Sequence, residues 1–86
     1  MATFQYTIKD ELGIHARPAG QIVKQIKELD CKVTIEKEGK PAVDAARMMA
    51  LMGLGIKCGE TITITVDGDN AEGKAVALEE FLATIL

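Results

Sequence analysis

Gly13-Ile14-His15-Ala16-Arg17-Pro18-Ala19 carries more of this chain's meaning than any other stretch. It holds the single histidine, one of two arginines and one of two prolines, behind a glycine suited to a turn. Proline is tolerated in the first turn of a helix because the amide hydrogen it lacks would be unpaired there. Apolar residues follow at helical spacing, at Ala19, Ile22, Val23, Ile26 and Leu29, so a helix is expected from about Ala16 to Leu29. Its outer face carries Lys24, Gln25 and Lys27. His15 therefore falls at or just before a helix N-terminus. Unpaired N–H groups and the positive end of the helix dipole gather there, which suits a phosphate. A neutral imidazole beside such a site can act as a nucleophile, and the guanidinium of Arg17 can bind phosphate oxygens. The local chemistry reads as an imidazole that accepts a phosphoryl group. A plain capping or surface histidine is the structural alternative.

Outward from this segment, Phe4, Tyr6 and Ile8 alternate with Thr3, Gln5 and Thr7, the period of a half-buried strand. Asp10 to Gly13 forms the loop that delivers His15. A second strand turns Val33 and Ile35 inward, and Glu38-Gly39 makes a turn. The return strand, Lys40 to Val43, contains Pro41 and belongs at a sheet edge. A short helix is expected over residues 45–52, ended by Gly53 or Gly55. Ile62, Ile64 and Val66 alternate with Thr61, Thr63 and Thr65 in the cleanest strand pattern. Asp67-Gly68-Asp69-Asn70 then leads into a last helix, with Asp69 or Asn70 as N-cap and an apolar stripe of Leu78, Phe81, Leu82 and Ile85. That turn lacks the length and distal glutamate of an EF-hand calcium loop. The order βαββαβα, with one apolar face per strand, predicts an antiparallel sheet covered by helices on one side and wet on the other.

The composition narrows the function. Eighty-six residues are read as one domain, spanning 1–86. The net charge of −3, the lack of a basic block and the scarcity of aromatics argue against nucleic-acid binding. The chain shows neither an apolar span nor a signal-peptide pattern, so it is expected in the cytoplasm without membrane insertion. Cys31 and Cys58 match no zinc or redox spacing and are expected as reduced, partly buried thiols. No metal or cofactor is implied.

Residues 13–19 resemble the active-site segment of HPr, the histidine-containing phosphocarrier family of the bacterial phosphoenolpyruvate-dependent sugar phosphotransferase system. Met49-Ala50-Leu51-Met52-Gly53-Leu54-Gly55-Ile56 is similar to the family's second helix and the glycine turn after it. Chain length and element order agree throughout. The resemblance implies an α+β open-faced sandwich, with a four-stranded antiparallel sheet and three helices on one face. It further implies phosphorylation at Nδ1 of His15, with donation by phosphorylated enzyme I and transfer to enzyme IIA domains during sugar uptake. Arg17 would stabilise the transferring charge, and the backbone around Ala16, Arg17 and Pro18 would hold phosphate oxygens. Such a carrier turns over no small molecule of its own and is expected to be a monomer.

Met48, Met49, Leu51, Met52 and Leu54 crowd a helix too short to bury all of them. Methionine adapts to differing partners, so the cluster suggests a docking surface, although any one of these residues could equally be core. By the resemblance, the second helix and the start of the first dock on enzyme I and enzyme IIA, which makes Gly20, Arg47, Met48, Met49 and Met52 the contact candidates. Many family members from Gram-positive bacteria carry a regulatory serine at the start of the second helix. Here Arg47 or Ala46 stands there, depending on the alignment, and the chain contains no serine. Two other readings remain open: a regulatory relative that serves a nitrogen-related phosphorelay or binds transcription regulators, and a small ligand-binding domain in which His15 is incidental.

Overall fold

The apolar alternation read from the sequence sorts the strands by position. In the computed structural model, which describes residues Met1–Leu86, the elements run β1 (Ala2–Thr7), α1 (Ala16–Leu29), β2 (Lys32–Lys37), β3 (Lys40–Asp44), α2 (Met48–Gly53), β4 (Thr61–Asp67) and α3 (Ala71–Ile85). The four strands form one sheet in the order β1-β4-β2-β3, and every neighbouring pair is antiparallel. β4 lies inside the sheet, where its lack of proline and glycine leaves the ladders on both sides uninterrupted. Its register sets Ile64 between Phe4 and Ile35. β3, which contains Pro41, is an edge strand as expected.

One sheet face is dry and the other polar. Val33, Ile35, Ile62, Ile64 and Val66 are buried together with Ile22 and Ile26 of α1, Leu51 of α2, and Leu78 and Leu82 of α3. On the opposite face, Thr3 pairs with Thr65 at 3.4 Å, Gln5 with Thr63 at 3.4 Å and Thr7 with Thr61 at 2.9 Å. The helices thus cover one face of a four-stranded antiparallel sheet, the open-faced α+β sandwich in the order βαββαβα.

Three local expectations need correction. The second helix begins at Met48 rather than at residue 45. Asp44 delays it: its Oδ1 accepts the Ala46 N–H at 2.9 Å and its carbonyl accepts the Arg47 N–H at 3.1 Å, a turn that competes with helix. The stop comes at Gly55, whose φ is +62° and whose N–H donates to the Met52 carbonyl at 3.1 Å. Asn70 is the N-cap of α3, but it takes a left-handed conformation and makes no side-chain capping bond. A side chain at Gly73 would run into the Asn70 amide, 2.6 Å from its Nδ2, so glycine is tolerated mid-helix for the space it leaves. Cys31 is half-buried, and that burial pushes its thiol pKa up; Cys58, expected to be partly buried, is exposed.

Gly13 carries the tightest backbone approach to the site. Its φ is +68°, and a Cβ there would overlap the Ile56 carbonyl and come within 2.7 Å of the Lys57 Cα. Left-handed strain and overpacking add, so Gly13→Ala should cost about 2–4 kcal/mol. In a domain of this size that lowers the melting midpoint by roughly 10 °C or more. Gly20→Ala, where nothing lies within 4 Å of the added methyl, should leave the midpoint unchanged or raise it. Thermal melts of the two variants check this, and equal small shifts would contradict it.

Candidate functional site around His15

His15 is held from both sides. Just before it, the Ile14 N–H donates to the Ile56 carbonyl at 3.0 Å, and the Ile14 side chain is buried in the core. Just after it, the His15 carbonyl accepts the first bond of α1, from the Ala19 N–H at 2.9 Å. His15 is the N-cap in extended backbone, φ −104° and ψ −170°, and its imidazole makes no capping bond to the helix. The ring is half-buried and free to meet a ligand.

The surroundings favour an anion. The N–H groups of Ala16 and Arg17 precede the first intrahelical bond, and Pro18, buried beneath them, has none to offer. No acidic side chain lies in the first turn of α1. The Arg17 side chain is exposed next to this end. Of the two acids in the loop before His15, Asp10 has its Oδ1 occupied by the Leu12 N–H at 2.9 Å, and Glu11 is exposed to solvent. The helix end, two unpaired amides and a permanent cation can together hold the oxygens of a phosphoryl group on the imidazole. Two clefts of the surface, one lined by Gln21, Lys24, Gln25, Glu28 and Phe81 and another on the open sheet face, contain neither His15 nor Arg17. An open position suits exchange with another protein's active site better than enclosure of a small substrate. No cluster of three His, Cys, Asp or Glu side chains gathers to hold a metal ion.

α1 packs against α2, which brings the remaining candidates to the same side of the fold. Arg47 is the exposed N-cap of α2. Met49 is the most open of the helix methionines at 82% exposure, and Met48 is 37% exposed. Met52 is half-buried and packs against the core, while Leu51 and Leu54 are buried in it. Gly20 leaves a shallow spot on α1, with nothing near its missing side chain. Sequence reasoning missed Leu12, which stands 72% exposed in the loop before His15. Its one signal was a large apolar residue in a polar loop, outside every periodic pattern. The C-terminal end of α2 is tied by lysines from the β2–β3 hairpin. Lys40 Nζ reaches the Leu54 carbonyl at 3.2 Å and Lys37 Nζ the Gly55 carbonyl at 3.0 Å. Lys37 also pairs with Glu60 at 3.0 Å; that bond, then the Lys57 N–H, hold the Glu60 carboxyl below the usual carboxylate range.

The open-faced sandwich is the fold of a class of small phosphocarrier domains, and known members of that class match this chain. The profile of the family described as "PTS HPr component phosphorylation site" matches residues 2–84. A phosphocarrier protein HPr from Lysinibacillus sphaericus is 38% identical over 86 residues, covering 100% of this chain and 92% of that protein. One from Haloferax volcanii is 37% identical over 79 residues, covering 91% of this chain and 89% of its own length. The crystal structure of an HPr from Thermoanaerobacter tengcongensis superposes with a TM-score of 0.88 at 30% identity, covering 98% of this chain and 93% of that one. The chain belongs to the HPr family, the phosphocarriers of the phosphotransferase system. None of its helices is long and apolar enough to cross a membrane.

Proposed function

We propose that His15 accepts a phosphoryl group from phosphorylated enzyme I and passes it to enzyme IIA domains during sugar uptake. The observation that carries this reading is His15 as an uncapped N-cap, with the Ala16 and Arg17 amides and the Arg17 guanidinium around it. A ring nitrogen attacks phosphorus, a P–N bond forms, and the donor's bond to phosphorus breaks. The phosphoryl oxygens then rest on the helix end and Arg17, which offset their charge. The resemblance selects Nδ1 as the reacting nitrogen. Passage to an enzyme IIA domain repeats the step in reverse, with the imidazole leaving. Residues 1–86 act as a single domain, as a monomer and in the cytoplasm, with no cofactor or metal.

Gly20, Arg47, Met48, Met49 and Met52 form the docking face in this reading. Met49 supplies most of its exposed apolar surface and Arg47 a fixed positive charge at the start of α2. Met52 contributes its edge only, since the rest of it packs inward. With Arg47 or Ala46 where serine-regulated relatives carry a hydroxyl, and Arg47 charged in either case, the face stays permanently suited to an acidic partner, and a seryl kinase finds no acceptor there.

Intact-mass spectrometry after incubation with phosphoenolpyruvate and enzyme I tests the acceptor. The parent chain should gain one acid-labile, alkali-stable phosphoryl group, and folded His15→Ala none. Labelling of the alanine variant, or an acid-stable adduct, would sink the assignment.

The docking face has its own test. Met49→Glu puts a carboxylate in the patch, where desolvation without a partner is costly, and should weaken enzyme I binding by roughly tenfold or more. Because Met49 is so exposed, the melting midpoint should move by less than about 2 °C. Calorimetry and a thermal melt read both, and undiminished binding would remove Met49 from the face.

A further inference from the structure

Behind His15 lies a polar cluster that phosphoryl transfer does not touch. Lys37, at the end of β2, makes the one ion pair of the protein, and its side chain is only 16% exposed. Its Nζ donates to Glu60 Oε1 at 3.0 Å and to the Gly55 carbonyl at 3.0 Å. The same Glu60 oxygen accepts the Lys57 N–H at 2.6 Å. The peptide groups on either side of Ile56 are thus tied to a single pair of side chains. Between them, the Ile56 carbonyl accepts the Ile14 N–H, one residue before His15. The far end of the segment is pinned to the exit of β1, where Gly59 N–H meets the Ile8 carbonyl at 2.8 Å and Ile8 N–H meets the Glu60 carbonyl at 2.9 Å.

We infer that Lys37 and Glu60 are positioning residues for His15, acting through the 55–57 segment on which Gly13 and Ile14 rest. The inference builds on His15 as the phosphoryl acceptor. An ion pair near the surface contributes little to stability by itself. Its consequence here is geometric. The Ile56 carbonyl moves only if Gly55 or Lys57 moves, and Lys37 and Glu60 hold both. Gly13 is already pressed against Ile56 and Lys57, so a displacement there is transmitted to Ile14 and then to the imidazole. Phosphoryl transfer between proteins is sensitive to such displacements, because a shift of about 1 Å in a reacting group can cost two orders of magnitude in rate.

The role needs Lys37 as a donor to two acceptors and Glu60 as an acceptor from two donors. That requirement separates it from simple charge pairing. Hydrogen exchange at the Ile14 amide should accelerate by roughly tenfold in Lys37→Met and in Glu60→Met, while the β4 amides change by less than about twofold. The transfer rate at saturating phosphorylated enzyme I should fall by roughly three- to tenfold with KM changed by less than about twofold, since Lys40 still holds the Leu54 carbonyl at the end of α2. The double variant should be no worse than the poorer single one, as expected for residues acting as a unit. Lys37→Arg, whose fork can reach both acceptors, should restore exchange and rate. The charge-swapped pair Lys37→Glu with Glu60→Lys should restore neither, because glutamate cannot donate to the Gly55 carbonyl and lysine cannot accept from the Lys57 amide. An unmoved Ile14 amide, equal acceleration at Ile14 and β4, or rescue by the swapped pair would each overturn the inference. Mapping the phosphate on the parent chain keeps the two readings apart. A phosphate away from His15 defeats the acceptor assignment, whereas a phosphate on His15 with unaffected variants defeats the positioning role alone.

Discussion

The approach of the Gly13 backbone to Ile56 and Lys57 joins two loops that sequence separates widely, and the site is built on that junction. Main chain meets main chain there with no room for a side chain between them, and the left-handed φ at Gly13 turns the chain so that Ile14 can donate to Ile56. One loop ends in His15 and α1; the other follows directly from α2. The His15 end of α1 and the exposed side of α2 are therefore parts of one body. In the proposed function, a partner docked on α2 would meet His15 at a position that this junction sets.

α2 shows how a small domain keeps apolar surface exposed. It has six residues and no side-chain cap at its N-terminus, and only Leu51 is fully buried within it. Helices this short are not stable alone. Leu51 and Leu54 anchor it from below, Asp44 shapes the turn into it, and Lys37 and Lys40 occupy carbonyls at its far end. With both ends tied down by polar contacts, its outer residues are not required for packing. Met49 can then face water in the free protein without loss of the fold, and can repack against more than one partner.

Elements with strong periodicity were legible in the sequence because burial alone specifies them. β4, α1 and the edge position of β3 follow from alternation, helical spacing and one proline. The placement of His15 and Arg17 at the start of α1 was legible for another reason: Pro18 marks the first turn of a helix, so His15 falls just before it. The start of α2 was not legible, since alanines at 45 and 46 are good helix formers and the Asp44 turn overrides their propensity. Of the two caps the sequence offered, Asp69 and Asn70, the structure uses Asn70, and through backbone conformation, which composition does not reveal. Lys37 and Glu60 lie 23 residues apart on elements that meet only in three dimensions, and no spacing rule connects them. Gly13 read as an ordinary turn residue. Its closeness to Ile56 is a property of the folded chain.

The most direct test of this account is a comparison of backbone amide shifts in nuclear magnetic resonance spectra of the unphosphorylated and phosphorylated chain. If a phosphoryl group on His15 rests on the end of α1, the Ala16 and Arg17 amides should move furthest, downfield as new charge-assisted hydrogen bonds form. The threonine face of the sheet, Thr3, Thr61, Thr63 and Thr65, should stay in place. Largest shifts on the sheet face or in α3, with Ala16 and Arg17 unmoved, would contradict the account.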